Sequence, residues 1–119
     1  MKDYIKMSDF ELNSAVAQLS LWKKKDCEEI HGDEKRGVVS WADGANWHVF
    51  DPCNNPSDAW PIIHGNDIML NPNCADELWK AEQGFREKPS GFYDVATAYN
   101  KNPLRAAMIV FLMMKDKDK

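Results

Sequence analysis

The stretch from Leu104 to Met114 constrains this chain more than any other. Ten of its eleven residues are apolar, and the exception is Arg105. Asn102-Pro103 stands immediately before it. Asn caps a helix with its side-chain oxygen, and Pro suits the first helical position, where its missing N–H has no partner to lose. The pattern predicts a helix opening at Asn102-Pro103 and running to about Met114. A helix that is apolar all round must be covered on most sides, either in the core or in a subunit interface. Lys115 and Lys117 follow at its negative end, where cations are favoured. A chain of 119 residues has room for one modest core and one site, so a single domain spanning 1–119 is expected.

Two further helices are announced by their starts. Ser8 followed by Glu11 forms a capping box, and Met7 with Leu12 forms the hydrophobic staple around it. Leu12, Ala15, Val16 and Leu19 then make one apolar stripe, predicting a helix over about 9–20. Asn55-Pro56 repeats the Asn cap with Pro behind it, and Asp58 in that first turn faces the positive helix end. Pro61 comes too late for the first turn and predicts a kink, or a split into two short pieces at Trp60. Gly65-Asn66 should end the element.

Between the helices the pattern turns to strands. Val38–Ala42 and Asn46–Phe50 are β-rich runs separated by Asp43-Gly44, a hairpin signal because Asp-Gly tolerates positive φ. Alternation in the second run predicts a buried face carrying Trp47 and Val49. A tight turn would put Trp41 and Trp47 on the same side. Asp67–Asn71, Leu78–Glu82 and Phe92–Ala98 are further expected strands, with Gly84, Pro89 and Gly91 marking a loop. The charged stretch 23–36 reads as an exposed hairpin or loop around Gly32-Asp33. Helices at both ends with strands between argue for an α+β fold. A small antiparallel sheet would pack with an N-terminal helix, a C-terminal helix and a short kinked middle one.

Charge excludes one class of partner. Fifteen Lys and Arg face nineteen Asp and Glu, a formal net charge of −4, whereas a nucleic-acid binder carries a basic surplus for phosphate contacts. The basic cluster Lys23-Lys24-Lys25 is followed at once by Asp26, Glu28 and Glu29, which reads as a solvated face. Cys27, Cys53 and Cys74 are odd in number and widely spaced, so no disulfide framework is expected. Met1–Leu12 lacks the pattern of a signal peptide, and the longest apolar run is too short to span a membrane. The expected home is a reducing cytosol.

Three blocks then become familiar. Ser8-Asp9-Phe10-Glu11-Leu12-Asn13, Cys53-Asn54-Asn55-Pro56-Ser57-Asp58-Ala59-Trp60-Pro61-Ile62-Ile63 and Asn102-Pro103-Leu104-Arg105-Ala106-Ala107-Met108 running on to Met114 stand in that order. Together they resemble the NinX-like family of small tailed-phage and prophage proteins. The stretches 23–36 and 83–91 do not align with it. The resemblance implies a small protein of the host-cell cytoplasm, made during infection or from a prophage. It brings no catalytic residues with it.

The chemistry of the side chains narrows the function. Cys27, Cys53, Cys74, His31, His48 and His64 lack the paired spacing of a structural zinc site, so no metal or other cofactor is expected. No nucleophile elbow and no phosphate-binding glycine motif occurs. Cys53 before a helix start is a candidate lowered-pKa thiol, with His48 or His64 as base, and Asp51 and Asp58 are a candidate carboxylate pair. A small residue filling a loop corner is the favoured alternative for Cys53. Arg105 breaks the local rule twice, as a cation in a first turn and as the sole polar group of an apolar helix. An ion pair to Asp58, tying the two Asn-Pro openings together, is the expectation for it. Trp60, beside Pro61, is expected to be partly exposed.

These readings lead to a non-enzymatic accessory protein that binds a host or phage component. Asn54, Asn55, Asp58 and Trp60 would form the recognition surface, with Arg105 organising it. The alternative is a pocket sequestering a small anionic ligand, such as a nucleotide signal of host defence, stacked on Trp60 and paired with Arg105. A hydrolase using Cys53 or the carboxylate pair ranks third. A homo-oligomer through the last helix is a further expectation.

Overall fold

The computed structural model describes residues 4–21, 29–44, 46–74, 77–83 and 96–117. A short 3₁₀ turn at Tyr4–Lys6 leads into α1 (Asp9–Ser20). Then come β1 (Glu29–Asp33), β2 (Val38–Asp43) and β3 (Asn46–Phe50). After α2 (Pro56–Gly65) the chain forms β4 (Ile68–Cys74), β5 (Leu78–Gln83) and β6 (Thr97–Asn100), and it finishes in α3 (Pro103–Lys117). The fold is α+β, as expected, and among the described residues its strands form two small antiparallel sheets of three, ordered β1-β2-β3 and β4-β5-β6, rather than one. The turn after Phe50 and the helix α2 carry the chain away from the first sheet before β4 begins.

The helix starts follow their sequence signals. Ser8 and Glu11 make the reciprocal capping box, with the Glu11 N–H 3.1 Å from Ser8 Oγ and the Ser8 N–H 3.2 Å from Glu11 Oε1. Asn55 Oδ1 accepts the Ser57 N–H at 3.0 Å, with Pro56 as the first helical residue. Asn102 Oδ1 accepts from the N–H groups of Leu104 and Arg105, at 2.9 and 3.3 Å. α2 runs through Pro61 as one helix rather than two pieces, and the Asn66 side chain closes its end by donating to the Ile62 carbonyl at 2.7 Å.

α3 occupies the centre. Ala106 through Leu112 are all buried, and the helix packs against every strand of the second sheet and against α1 and α2. The apolar run that admitted a subunit interface is thus covered inside the chain itself. α1 stands between α3 and the first sheet, presenting Leu12, Val16 and Ala17 to the core. Phe10 lies so close over β1 that a Cβ on Gly32 would come within 2.8 Å of its ring. Only glycine lets the strand and that ring approach this closely.

The β2–β3 hairpin closes with Asp43 opposite Asn46, and Gly44 takes φ +70° in the turn. Its register pairs Trp41 with His48 and Ala42 with Trp47, so the two tryptophans lie on opposite faces, although the turn is tight. Phe50 is the buried residue of β3, while Trp47 and Val49 are exposed, which reverses the expected buried face. Burial does not alternate along β3: Asn46 to Val49 are all exposed, and Phe50, paired with buried Val39, takes the core side. Trp47 and Val49 lie on the other face of this edge strand. In the second sheet, Pro72 sits where the β4–β5 register shifts between Asn71 and Cys74, a place where a missing N–H breaks no ladder. The charged stretch contributes β1 and the turn into β2, so its described part is the hairpin alternative. Trp22, Lys23–Lys25, Cys27, the loop 84–91 and the first residues of the strand expected at Phe92 lie outside the described residues. β6 itself reaches Asn100.

Candidate functional site

The loop between β3 and α2 is folded back on itself. The N–H groups of Asn54 and Asn55 both donate to the Asp51 carbonyl, at 3.1 and 2.7 Å, and the Asp51 N–H donates to Asp58 Oδ2 at 2.9 Å. Pro52 and Cys53 are buried beneath this turn. Two asparagines from other helices grip its backbone. Asn13, on α1, accepts the Cys53 N–H at 3.1 Å, and Asn102, the cap of α3, donates to the Cys53 carbonyl at 2.7 Å.

Asn13 is completely buried and fully used. Its amide nitrogen donates to the Gly37 carbonyl at 2.9 Å and to Asp51 Oδ1 at 2.7 Å, while its oxygen holds Cys53. A buried amide satisfied at both ends fixes one arrangement of the groups around it. One side chain thus joins α1, the turn before β2 and the turn before α2.

Arg105 does not pair with Asp58. Its Nη1 donates to Asp9 Oδ1 at 2.6 Å, and its Nη2 donates to the backbone carbonyls of Ile5 and Met7. The guanidinium therefore ties α3 to the segment leading into α1. Asp9 lies in the first turn of α1, where a carboxylate is favoured, and it offsets the misplaced cation of α3. The other Asp9 oxygen accepts from Asn54 Nδ2 at 3.2 Å, and the same Nδ2 reaches Asp51 Oδ1 at 3.2 Å. The two Asn-Pro openings do meet, but through Asn102, Cys53 and Asn54 rather than through an Arg105–Asp58 pair. With both terminal nitrogens of Arg105 engaged, the arginine–tryptophan clamp for an anion is not assembled.

The five expected site residues separate into groups. Asn54 and Arg105 belong to the polar hub, Asn55 caps α2, and Asp58 braces the turn at Asp51. Trp60 stands apart, 61% exposed on the outer side of α2, with His64 one turn further at 6.4 Å between ring centroids. Sequence reasoning missed Asn13, Asp9 and Asn102 as partners of the hub. Asn13 carried a signal, being an amide beside the apolar stripe of α1.

Cys53 does not have a lowered pKa. Burial pushes its thiol up to about 12, the carboxylates of Asp9 and Asp51 add to that, and Arg105 opposes it. A buried, protonated thiol is a poor nucleophile. Asp51 and Asp58 are joined through a backbone N–H, and the Asp51 carboxylate is occupied by Asn13 and Asn54. His48 and His64 are both exposed; His48 pairs with Asp43 at 3.0 Å. Among the described residues, no three of His, Cys, Asp and Glu are grouped to hold a metal ion.

A cavity of about 440 Å³ opens between the β2–β3 hairpin, the end of α1, α2 and the C-terminal half of α3. Trp41, His48, Phe50, Asp58, Phe111 and Lys115 are among its walls. Of the five expected site residues, only Asp58 lines it.

Comparison with known proteins adds one finding. The family model described as Bacteriophage P22, NinX matches residues 3–115, nearly the whole chain. No curated protein matches it.

Proposed function

The chain belongs to the bacteriophage P22 NinX family, and from that premise we propose an accessory protein that binds a host or phage protein in the host cytoplasm and catalyses no reaction. The outer side of α2 is its recognition surface. The observation that carries this reading is Trp60, a large apolar side chain 61% exposed. Tryptophan is enriched where partners dock, because it offers a wide rigid area with one polar handle. The helix that bears it is held at its start by the Asn55 cap, the Asp58 brace and the turn gripped by Asn13 and Asn102. That anchoring presents the indole without a large ordering cost on binding. Cys53 and the Asp51–Asp58 pair, the groups that catalysis would need, are engaged in holding this turn.

The test is capture from infected cells with tagged wild-type protein, Trp60→Ala and Tyr99→Ala. Tyr99 is also exposed but lies on the second sheet, so it controls for loss of any surface aromatic. A partner retained by wild type and Tyr99→Ala and lost at least about tenfold with Trp60→Ala is the expected result, since a hot-spot truncation costs 2 kcal/mol or more. Equal capture by Trp60→Ala would overturn the proposed surface.

A further inference from the structure

The cavity beside α2 is distinct from the Trp60 surface, and its lining has a chemistry of its own. Part of its wall is aromatic. Trp41 and His48, opposite one another in the hairpin register, stack with ring centroids 4.4 Å apart, and Phe111 faces in from α3. Two opposite charges line the same space. Asp58 spends one carboxylate oxygen on the Asp51 N–H, which leaves Oδ1 to accept another donor. Lys115 makes no ion pair among the described residues; its ammonium lies 5.6 Å from the Phe111 ring centroid. A volume of about 440 Å³ falls in the range of small-molecule sites.

A ligand complementary to this lining needs a flat ring to lie along the aromatic walls. It needs N–H donors on one edge for Asp58 and an anionic group for Lys115. We propose that the cavity binds a nucleoside monophosphate, with its base against Trp41 and His48, its amino edge on Asp58 and its phosphate on Lys115. The aromatic walls accept any base through its π face, while the aspartate favours bases that carry an exocyclic amine. Lys115 gives the anion a charge-assisted partner. The site goes beyond the proposed protein-binding surface and does not depend on it, since Trp60 is not among the residues lining the cavity.

The experiment is a titration of the full chain followed by heteronuclear NMR. The probes are adenosine 5′-monophosphate, cytidine 5′-monophosphate, adenosine, inorganic phosphate and L-tryptophan. Saturable shifts of the Trp41 indole and the His48 ring with the two monophosphates are expected. Adenosine and the Lys115→Gln variant should each bind at least about tenfold more weakly, and Lys115→Arg should keep binding. Asp58→Asn, which retains a carbonyl oxygen for the Asp51 N–H, should lose affinity for both monophosphates while its spectrum stays dispersed. No shift at Trp41 and His48 at millimolar nucleotide overturns the proposal. So does Lys115→Gln binding as tightly as wild type. Phosphate alone reproducing the shifts would reduce the site to an anion contact, and L-tryptophan binding more tightly than the nucleotides would assign it to aromatic amino acids instead. Failure of any of these arms leaves the Trp60 capture result unaffected.

Discussion

The hub around Asn13 and the outer side of α2 sit on either side of one short turn, yet they are built on opposite principles. In the hub, polar atoms find protein partners: Asn13 is completely buried with three hydrogen bonds, and Arg105 is 14% exposed with its terminal nitrogens engaged. On α2, Trp60 projects into solvent. The contrast separates two meanings of an unusual residue. A polar group in an apolar context marked architecture here, because the interior had to satisfy it. On the proposed reading, the large apolar side chain that α2 leaves outside, Trp60, is what it offers to a partner.

The contrast is broken most directly at Asn13. Asn13→Ala leaves the Cys53 N–H and the Gly37 carbonyl without this partner and removes one of the two amides on Asp51 Oδ1, and should cost about 3 kcal/mol in urea unfolding. A loss under about 1 kcal/mol would mean that the hub relaxes and is no anchor. Arg105→Met comes next, at about 2 kcal/mol, a value discounted because Asp9 is 41% exposed. Arg105→Lys should recover only part of it, since an ammonium cannot reproduce the guanidinium fork that reaches Asp9 and two carbonyls together.

A smaller effect comes from Cys53. Its folded pKa of about 12 lies above the ordinary thiol value of 9.0, so the unfolded chain releases this proton first as pH rises. The stabilisation is fully present below pH 9 and is lost as pH climbs toward 12. Wild type should lose roughly 1 kcal/mol relative to Cys53→Ala between pH 9 and pH 10, measured by denaturant midpoints. Parallel pH profiles would show that the thiol ionises freely in the fold. The smallest effect belongs to the other region: Trp60→Ala should change stability by no more than about 0.5 kcal/mol. A larger loss would place Trp60 among the structural residues and remove the contrast.

Much of the fold is legible in the chain. The Ser8–Glu11 capping box, the Asn55-Pro56 and Asn102-Pro103 openings and the Asp43-Gly44 hairpin are decided by neighbours a few residues apart, and each appears where its residues predict it. The orientation of β3 was not legible. Both faces of that strand carry large side chains, so alternation alone cannot say whether Trp47 or Phe50 goes inward. The division into two sheets also depends on where α2 docks, which no strand pattern encodes. For the candidate site, the sequence singled out Arg105 as anomalous and Trp60 as exposed, and it placed Asn54 and Asn55 at a helix start. It did not reveal that the partner of Arg105 is Asp9, 96 positions away.

What the residues determined by themselves are the local events: helix caps, the two-residue turn, and the fact that α3 must be enclosed. These depend on backbone donors and acceptors within one turn of the side chain that satisfies them. The tertiary structure alone decided which groups meet across the chain: Asn13 with Cys53, Asn102 with the turn beneath α2, Arg105 with Asp9. Several carboxylates could have neutralised the arginine, and selection among them rests on packing geometry. That geometry exists only once α1 and α3 are pressed together around a shared core.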